Sequence, residues 1–194
     1  NGIAGITAAI ETRKRSSITI TIISSESKYF YSRTALMYVY MGQLKLEHTK
    51  PYPDEFWKQN NIQLVQDYVS HIDVHQKLVR LQQSDSSLTY SKLILASGSK
   101  PKMLQMPNTD AKGVFTFHHL QDVISIDAQT NTTNKKAVIV GGGLIGVELA
   151  EMLLSRQIPV TQIVREELYW SNVLPRQEAS MVAHHIQSRG VKLL

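Results

Sequence analysis

Ala137-Val138-Ile139-Val140-Gly141-Gly142-Gly143-Leu144-Ile145-Gly146-Val147-Glu148 is the stretch that decides the fold. Its four opening apolar residues predict a compact buried strand. The pattern G-x-G-x-x-G follows at Gly141, Gly143 and Gly146, and strong helix formers then run to Arg156. Each glycine has its own use. Gly141 allows a tight turn, Gly143 lets the backbone approach a pyrophosphate, and Gly146 lets helix and strand pack closely. The helix N-terminus then offers unpaired N–H groups and a positive dipole end to the phosphates. A ligand-free glycine turn could share these letters. The strand before and the helix after favour the dinucleotide reading.

Working outward, the start of the chain repeats half of this pattern. Asn1-Gly2-Ile3-Ala4-Gly5 matches x-G-x-x-G without the first glycine. A helix rich in Ala follows, then a predicted strand at Ile18 to Ile23, then Glu26. Glu26 stands about 20 residues past the last glycine, where the fingerprint places a carboxylate on a ribose hydroxyl. Alone, Glu26 could be a surface residue at a strand end. Two units of this kind in one chain predict an α/β protein built from parallel-sheet units.

The remaining segments fall between these units. The residue pattern predicts a helix over Tyr29 to Met41 after a loop, a short helix around Phe56 and Trp57, and a strand at Ile62 to Val65. Val69 to Gln82 alternates as paired strands do, and further strands are expected at Leu88 to Tyr90 and Leu93 to Ala96. Pro101, Pro107 and Gly113 mark a crossover. A partly helical stretch to Gln129 and a polar loop, Thr130 to Lys136, lead into the central motif. Beyond it come a strand at Val160 to Val164, a helix at Glu178 to Arg189 stopped by Gly190, and the start of another strand at Val191.

Composition narrows the chemistry. With 42% hydrophobic residues in 194, a real core can form. The net charge of +5 suits anionic ligands. The densest basic cluster, Arg13-Lys14-Arg15, reads as the solvated end of a helix, and no nucleic-acid recognition motif accompanies it. The chain has no cysteine, so this segment holds no disulfide, cysteine zinc site or redox dithiol. No run is long enough to span a bilayer and no signal peptide opens the chain. The expected location is cytoplasmic, with any targeting segment lying before Asn1. His71 and His75 share a strand face with Asp73 between them in this reading. A solvated face is the simpler account of that spacing, and no metal site is expected. Asn131-Thr132-Thr133 spells a glycosylation sequon, which is common by chance. No G-x-S-x-G elbow supports a serine hydrolase.

Two glycine turns at this separation resemble the FAD-dependent pyridine nucleotide oxidoreductases with two dinucleotide-binding domains. These include NADH oxidases, ferredoxin and rubredoxin reductases, and the flavoprotein part of nitrite reductases. Three further stretches carry the resemblance. Leu93-Ile94-Leu95-Ala96-Ser97-Gly98-Ser99-Lys100-Pro101 is similar to the family's A-T-G-S-x-P segment, with Ser97 in the threonine position. Tyr31-Ser32-Arg33-Thr34-Ala35-Leu36 is similar to the Y-x-R-x-x-L segment beside the flavin. Gly113 to Phe117, with Leu120, Asp122 and Val123, resembles the approach to the nucleotide domain.

The resemblance implies tandem Rossmann-like FAD and NAD(P) binding domains in a three-layer α/β fold, here incomplete at both ends. Residues 1–107 would be the first part of the FAD-binding domain and 108–194 a truncated NAD(P)-binding domain. Gly2, Ile3, Ala4, Gly5, Glu26, Arg33, Ala96, Ser97 and Gly98 would bind FAD. Gly141, Gly143, Leu144, Ile145, Gly146, Glu148 and Arg165 would lie along NAD(P)H, with Glu148 as the catalytic candidate. The implied reaction passes a hydride from NAD(P)H to FAD, and then electrons to oxygen, a quinone or a redox protein. A homodimer is a further possibility.

The departures from the family pattern keep alternatives open. Members that reduce disulfides or peroxides need cysteines, which this segment lacks. Ferredoxin-reductase-like members carry a lysine that pairs with the glutamate at the Glu148 position. Here Tyr38 stands in its place, and a neutral phenol supplies no fixed charge. Val164 replaces the acid that often ends the second nucleotide strand in NADH users. Arg165 follows it and could pair with a 2′-phosphate, while Glu166 and Glu167 would repel one. NADH and NADPH both stay open, with a lean to NADPH. The other reading kept is a non-catalytic FAD/NAD(P)-binding regulatory module. A Rossmann dehydrogenase with one cofactor fits poorly with two glycine turns.

Overall fold

The computed structural model describes residues 1–131 and 135–194. Thr132 and Thr133 of the sequon, with Asn134 of the polar loop, lie outside the described residues. The elements in chain order are α1 (Ile3–Arg15), β1 (Ile20–Ser24), α2 (Leu36–Tyr40), α3 (Glu55–Gln59), β2 (Ile62–Gln66), β3 (Val69–Asp73), β4 (Leu78–Leu81), β5 (Ser87–Thr89), α4 (Leu120–Thr130), β6 (Ala137–Val140), α5 (Leu144–Ser155), β7 (Val160–Ile163), α6 (Arg176–Ser188) and β8 (Lys192–Leu193). They form two compact units, Asn1–Arg33 with Leu46–Lys100, and Thr34–Lys45 with Pro101–Leu194. The fold is mixed α/β, with parallel and antiparallel sheets.

In the first unit β1 and β2 are parallel, with Ile20 opposite Ile62 and Ser24 opposite Gln66. Ile6 and Ala9 on α1, with Phe30, Trp57 and Ile62, make the core, and Tyr52, Phe56 and Leu64 pack around them. The strands β3, β4 and β5 form a separate antiparallel sheet with an irregularity between Val69 and His71. Asp67 ties the two sheets together at the β2–β3 turn. Its N–H bonds to the Ser24 carbonyl. Its buried carboxylate accepts the N–H groups of Tyr68, Gln83 and Ser84 and the Ser84 hydroxyl, at 2.7 to 3.0 Å. Burial alone would raise the Asp67 pKa, but these hydrogen bonds outweigh it and hold the group at about 2.

Arg13 departs from the expected solvated cluster. It is half-buried, and its guanidinium donates to the carbonyls of Ser16, Ile18 and Asn61 at 3.0, 2.7 and 3.0 Å. It thus joins the end of α1 to the starts of β1 and β2, and complements the helix dipole there. Lys14 and Arg15 do face solvent.

In the second unit β6, β7 and β8 form a parallel sheet in that order, and α5 links β6 to β7 as the crossover helix. The segment carrying α2 packs on α4 and α5 within this unit. Tyr40 is buried and donates its hydroxyl to Thr130 Oγ1 at 2.8 Å. The Arg156 guanidinium lies 3.8 Å from the Tyr40 ring centre and forms an ion pair with Asp127 at 2.6 Å. Among the described residues no helix is long and apolar enough to cross a membrane.

Four expectations are corrected. Leu93 to Ala96 forms no strand: no described strand pairs with it, and Leu93, Ile94 and Leu95 are exposed. An apolar run becomes a strand only where a neighbour completes the ladder. Helix is confined to Leu36–Tyr40 in the stretch from Tyr29 to Met41, preceded by a 3-10 turn at Arg33–Ala35. The Ser32 N–H bonds to the Thr49 carbonyl at 2.8 Å instead of to a preceding turn of helix. The strand β6 is covered on one face only, with Ile139 buried while Val138 and Val140 are 64% and 52% exposed. Finally, His75 lies outside β3 in an Asx turn, where the N–H groups of His75 and Gln76 bond to Asp73 Oδ1. His71 and His75 therefore do not share a strand face. Among the described residues no three His, Asp or Glu side chains gather as a metal site.

Candidate dinucleotide sites

Two helices begin on an extended glycine. The N-cap of α1 is Gly2 (φ −95°, ψ 174°) and that of α5 is Gly143 (φ −76°, ψ 177°). Both are extended, neither end has a side-chain cap, and neither first turn holds an acid. The N–H groups of Ile3, Ala4 and Gly5, and of Leu144, Ile145 and Gly146, have no acceptor among the described residues. The contrast is α4, which is closed by its own residues. There His119 and Asp122 form a capping box, and Asp122 also takes the His118 N–H at 2.8 Å and the Thr116 hydroxyl at 3.2 Å. The Gly113 to Val123 stretch thus serves to start a helix.

The second glycine turn is built from the strands beneath it. The Gly141 N–H bonds to the Ile163 carbonyl at 2.9 Å, continuing the β6–β7 ladder into the turn. Gly141 has φ +126°, open to glycine but strained for other residues. A Cβ on Gly146 would lie 2.4 Å from the Gly141 oxygen and 2.8 Å from Gln162 Nε2, so helix and strand touch only because it is absent. A Cβ on Gly143 would meet nothing within 4 Å. The space above the turn is therefore open while the space below it is full. A pyrophosphate fits this arrangement, with open room, free donors and no competing carboxylate. The first turn is similar, since a Cβ on Gly2 meets nothing within 4 Å and one on Gly5 would sit 3.4 Å from Ala96 Cβ. Ala96 is thereby set against α1, and Ser97 and Gly98 (φ +72°) follow it on the surface.

Glu26 and Arg33 meet directly. Arg33 donates from Nη2 to Glu26 Oε2 at 2.7 Å and from Nη1 to Oε1 at 3.3 Å. The Tyr31 hydroxyl donates to the same Oε1. The Glu26 side chain is 17% exposed and that of Arg33 39%. Asn1 holds the loop between Glu26 and Arg33, donating from Nδ2 to the Ser27 and Lys28 carbonyls at 2.9 and 3.0 Å.

Past β7, Arg165 is exposed and pairs with its neighbour Glu166 through Nε at 3.0 Å and through Nη2. Arg176 clasps Glu167 at 2.7 and 3.1 Å. The hydrogen bond from Arg165 lowers the Glu166 pKa, and that from Arg176 lowers the Glu167 pKa. A cavity of about 220 Å³ lies here, lined by Val164, Arg165, Glu167, Tyr169 and Leu194 among others. Glu148 is half-buried on α5, and Tyr38 lies exposed on α2, which packs against that helix.

Two residues escaped the sequence reading. Gln162 and Tyr169 are both fully buried, and Gln162 bonds the Gly141 carbonyl directly. The available signal was a glutamine in register with Val160 and Val164 on one face of the strand run.

Two glycine-opened α/β units thus define a protein built to hold dinucleotides. The chain belongs to the pyridine nucleotide-disulphide oxidoreductase family, whose model matches residues 1–194. It is 30% identical to the nitrite reductase [NAD(P)H] of Bacillus subtilis over 197 residues, covering all of this chain and 24% of that protein. It is 27% identical to the NADH-rubredoxin oxidoreductase of Clostridium acetobutylicum, covering 90% of this chain and 45% of the relative. The crystal structure of NADH:rubredoxin oxidoreductase from that organism superposes with a TM-score of 0.84 at 26% identity, over 99% of this chain and 50% of the solved one. The chain spans less than half the length of the curated relatives it matches here.

Proposed function

We propose that this chain is the dinucleotide-binding part of a flavin-dependent NAD(P)H oxidoreductase. The observation that carries the reading is the pair of uncapped helices α1 and α5, each opened by glycine over free N–H groups, in one chain. Gly2, Ile3, Ala4 and Gly5 would take the FAD pyrophosphate, Glu26 its ribose, and Arg33 would hold Glu26 in place. Ala96, Ser97 and Gly98 would approach the flavin. Gly141, Gly143, Leu144, Ile145 and Gly146 would take the pyrophosphate of NAD(P)H, with Arg165 at the adenosine ribose and Glu148 at the nicotinamide end. Bound together, these cofactors supply hydride transfer from nicotinamide to flavin and onward electron transfer to oxygen, a quinone or a redox protein.

The residues of the chain bind and orient; they supply no redox group of their own, since there is no cysteine. Residues 1–107 correspond to the FAD-binding part and 108–194 to the NAD(P)-binding part in this reading. Relatives named NADH-rubredoxin oxidoreductase and NADH oxidase match at the same identity, which supports a redox protein and oxygen equally as acceptors.

An anaerobic visible-absorption titration of the purified protein tests the reading, with NADH in one sample and NADPH in another. Bleaching of a bound flavin band is the expected result. A flavin band that neither nucleotide bleaches would replace the enzyme with a non-catalytic FAD/NAD(P)-binding regulatory module. Absence of any bound flavin would refute the assignment of Gly2, Gly5 and Glu26.

A further inference from the structure

Gln162 occupies the central strand of the β6–β7–β8 sheet with 0% exposure. Both ends of its amide are used. Nε2 donates to the Gly141 carbonyl at 2.8 Å, and Oε1 accepts the Tyr169 hydroxyl at 2.7 Å. Tyr169 is also 0% exposed and belongs to the segment after β7 that lines the cavity beside Arg165. A buried amide is unfavourable unless each polar end finds a partner. An apolar side chain of similar volume would pack the strand without that requirement. The two partners are therefore informative: one is the first residue of the glycine turn, the other the far end of the post-β7 segment. The same amide nitrogen also fills the space below Gly146.

We propose that Gln162 is a positioning residue for the nicotinamide dinucleotide. It fixes the Gly141 turn and the Arg165–Tyr169 segment as one unit. The pyrophosphate cradle and the surface facing the adenosine ribose are then set relative to each other before ligand arrives. This rests on the reading that the second unit takes NAD(P)H. Preorganisation of this kind acts on affinity, because a loose segment would have to be ordered on binding. Burial raises the Tyr169 phenol pKa, so the hydroxyl remains a donor across the neutral range.

The test measures equilibrium binding of NAD⁺ and NADP⁺ to the flavin-loaded protein by calorimetry, with steady-state kinetics alongside. The variants are Gln162→Leu, Tyr169→Phe and the two combined. Each single variant is expected to raise Kd and KM by about tenfold, the scale of one lost buried hydrogen bond. The maximal rate at saturating nucleotide should stay within about twofold. The double variant should bind no more weakly than Gln162→Leu alone, because both changes cut one chain. Tyr169→Phe keeps the ring and its packing, so it remains informative if Gln162→Leu folds poorly. A lower Tm with unchanged Kd in Tyr169→Phe would reduce the pair to a packing feature and overturn the proposal. If the unmodified protein binds neither nucleotide, the reading of the second unit fails, and this inference falls with it.

Discussion

Arg33 grips the carboxylate of Glu26, Nη2 to Oε2 at 2.7 Å, while Tyr31 holds the other oxygen. Two residues expected to meet FAD separately are thus one assembly. A carboxylate oxygen keeps lone pairs after accepting one hydrogen bond, so Glu26 can still receive a ribose hydroxyl. Glu26→Gln keeps the shape and removes the charge. It is predicted to weaken flavin retention about tenfold, read as flavin absorbance per mole of purified protein. Arg33→Ala should act in the same direction by releasing Glu26. Full flavin content in both variants would remove Glu26 from the site.

The glycines of the second turn should separate stability from binding. Gly146→Ala forces a methyl to 2.4 Å from the Gly141 oxygen. It should destabilise the fold by about 1–3 kcal/mol, seen in denaturant melts. Gly143→Ala meets nothing within 4 Å and has an ordinary φ of −76°. Its melt should match the unmodified protein while nucleotide affinity falls, since the methyl enters the open space above the turn. A Gly143→Ala variant with unchanged affinity for both nucleotides would place the pyrophosphate elsewhere.

Asp67 predicts an acid limb in the stability curve. Its folded pKa is held at about 2, below the usual 3.8. A depressed carboxylate contributes stability that is fully present above its unfolded pKa and is lost as pH falls through the folded value. Its part of the acid limb should therefore run from near pH 4 down to near pH 2. Asp67→Asn turns one end of the group into a donor facing N–H donors. It should lower Tm at pH 7 by a few degrees and remove that limb. An unaltered acid limb in Asp67→Asn would assign it to other carboxylates.

Arg165 and Glu166 predict the coenzyme balance. Their mutual pairing neutralises the arginine at the position where a 2′-phosphate would arrive. Glu166→Gln should raise kcat/KM for NADPH relative to NADH by about threefold to fivefold, and Arg165→Ala should lower the same ratio. The side chains are exposed, so the effect should shrink at high salt. Equal ratios across all three proteins would make Arg165 a bystander.

The glycine turn and the parallel strands were legible because strand, glycine spacing and helix follow one another along the chain. What the sequence hid was set by partners distant in the chain. Leu93, Ile94 and Leu95 carry strand-forming letters, but no described neighbour completes a ladder with them. Arg13 looked like the solvated end of a helix because its three carbonyl partners include Asn61, 48 residues away. Glu26 and Arg33 were each readable by motif, yet their contact depends on the path of the irregular segment between them, where the Ser32 N–H bonds to the Thr49 carbonyl. Gln162 was invisible for a different reason. A polar residue in a strand reads as solvent-facing, and the buried Tyr169 hydroxyl that Gln162 accepts lies outside the strand.

The open ends of α1 and α5 also bear on the life of the protein in a cell. The helix α4 closes its own start with a capping box; α1 and α5, opened by extended glycines, leave the role to whatever binds there. On the proposed reading, coenzyme is a missing structural piece as well as a reactant, and the first turns of both helices are where fraying would begin without it. Resistance to proteolysis would then rise with flavin and nicotinamide supply, so that abundance of the folded protein follows the nutritional state that also sets its turnover.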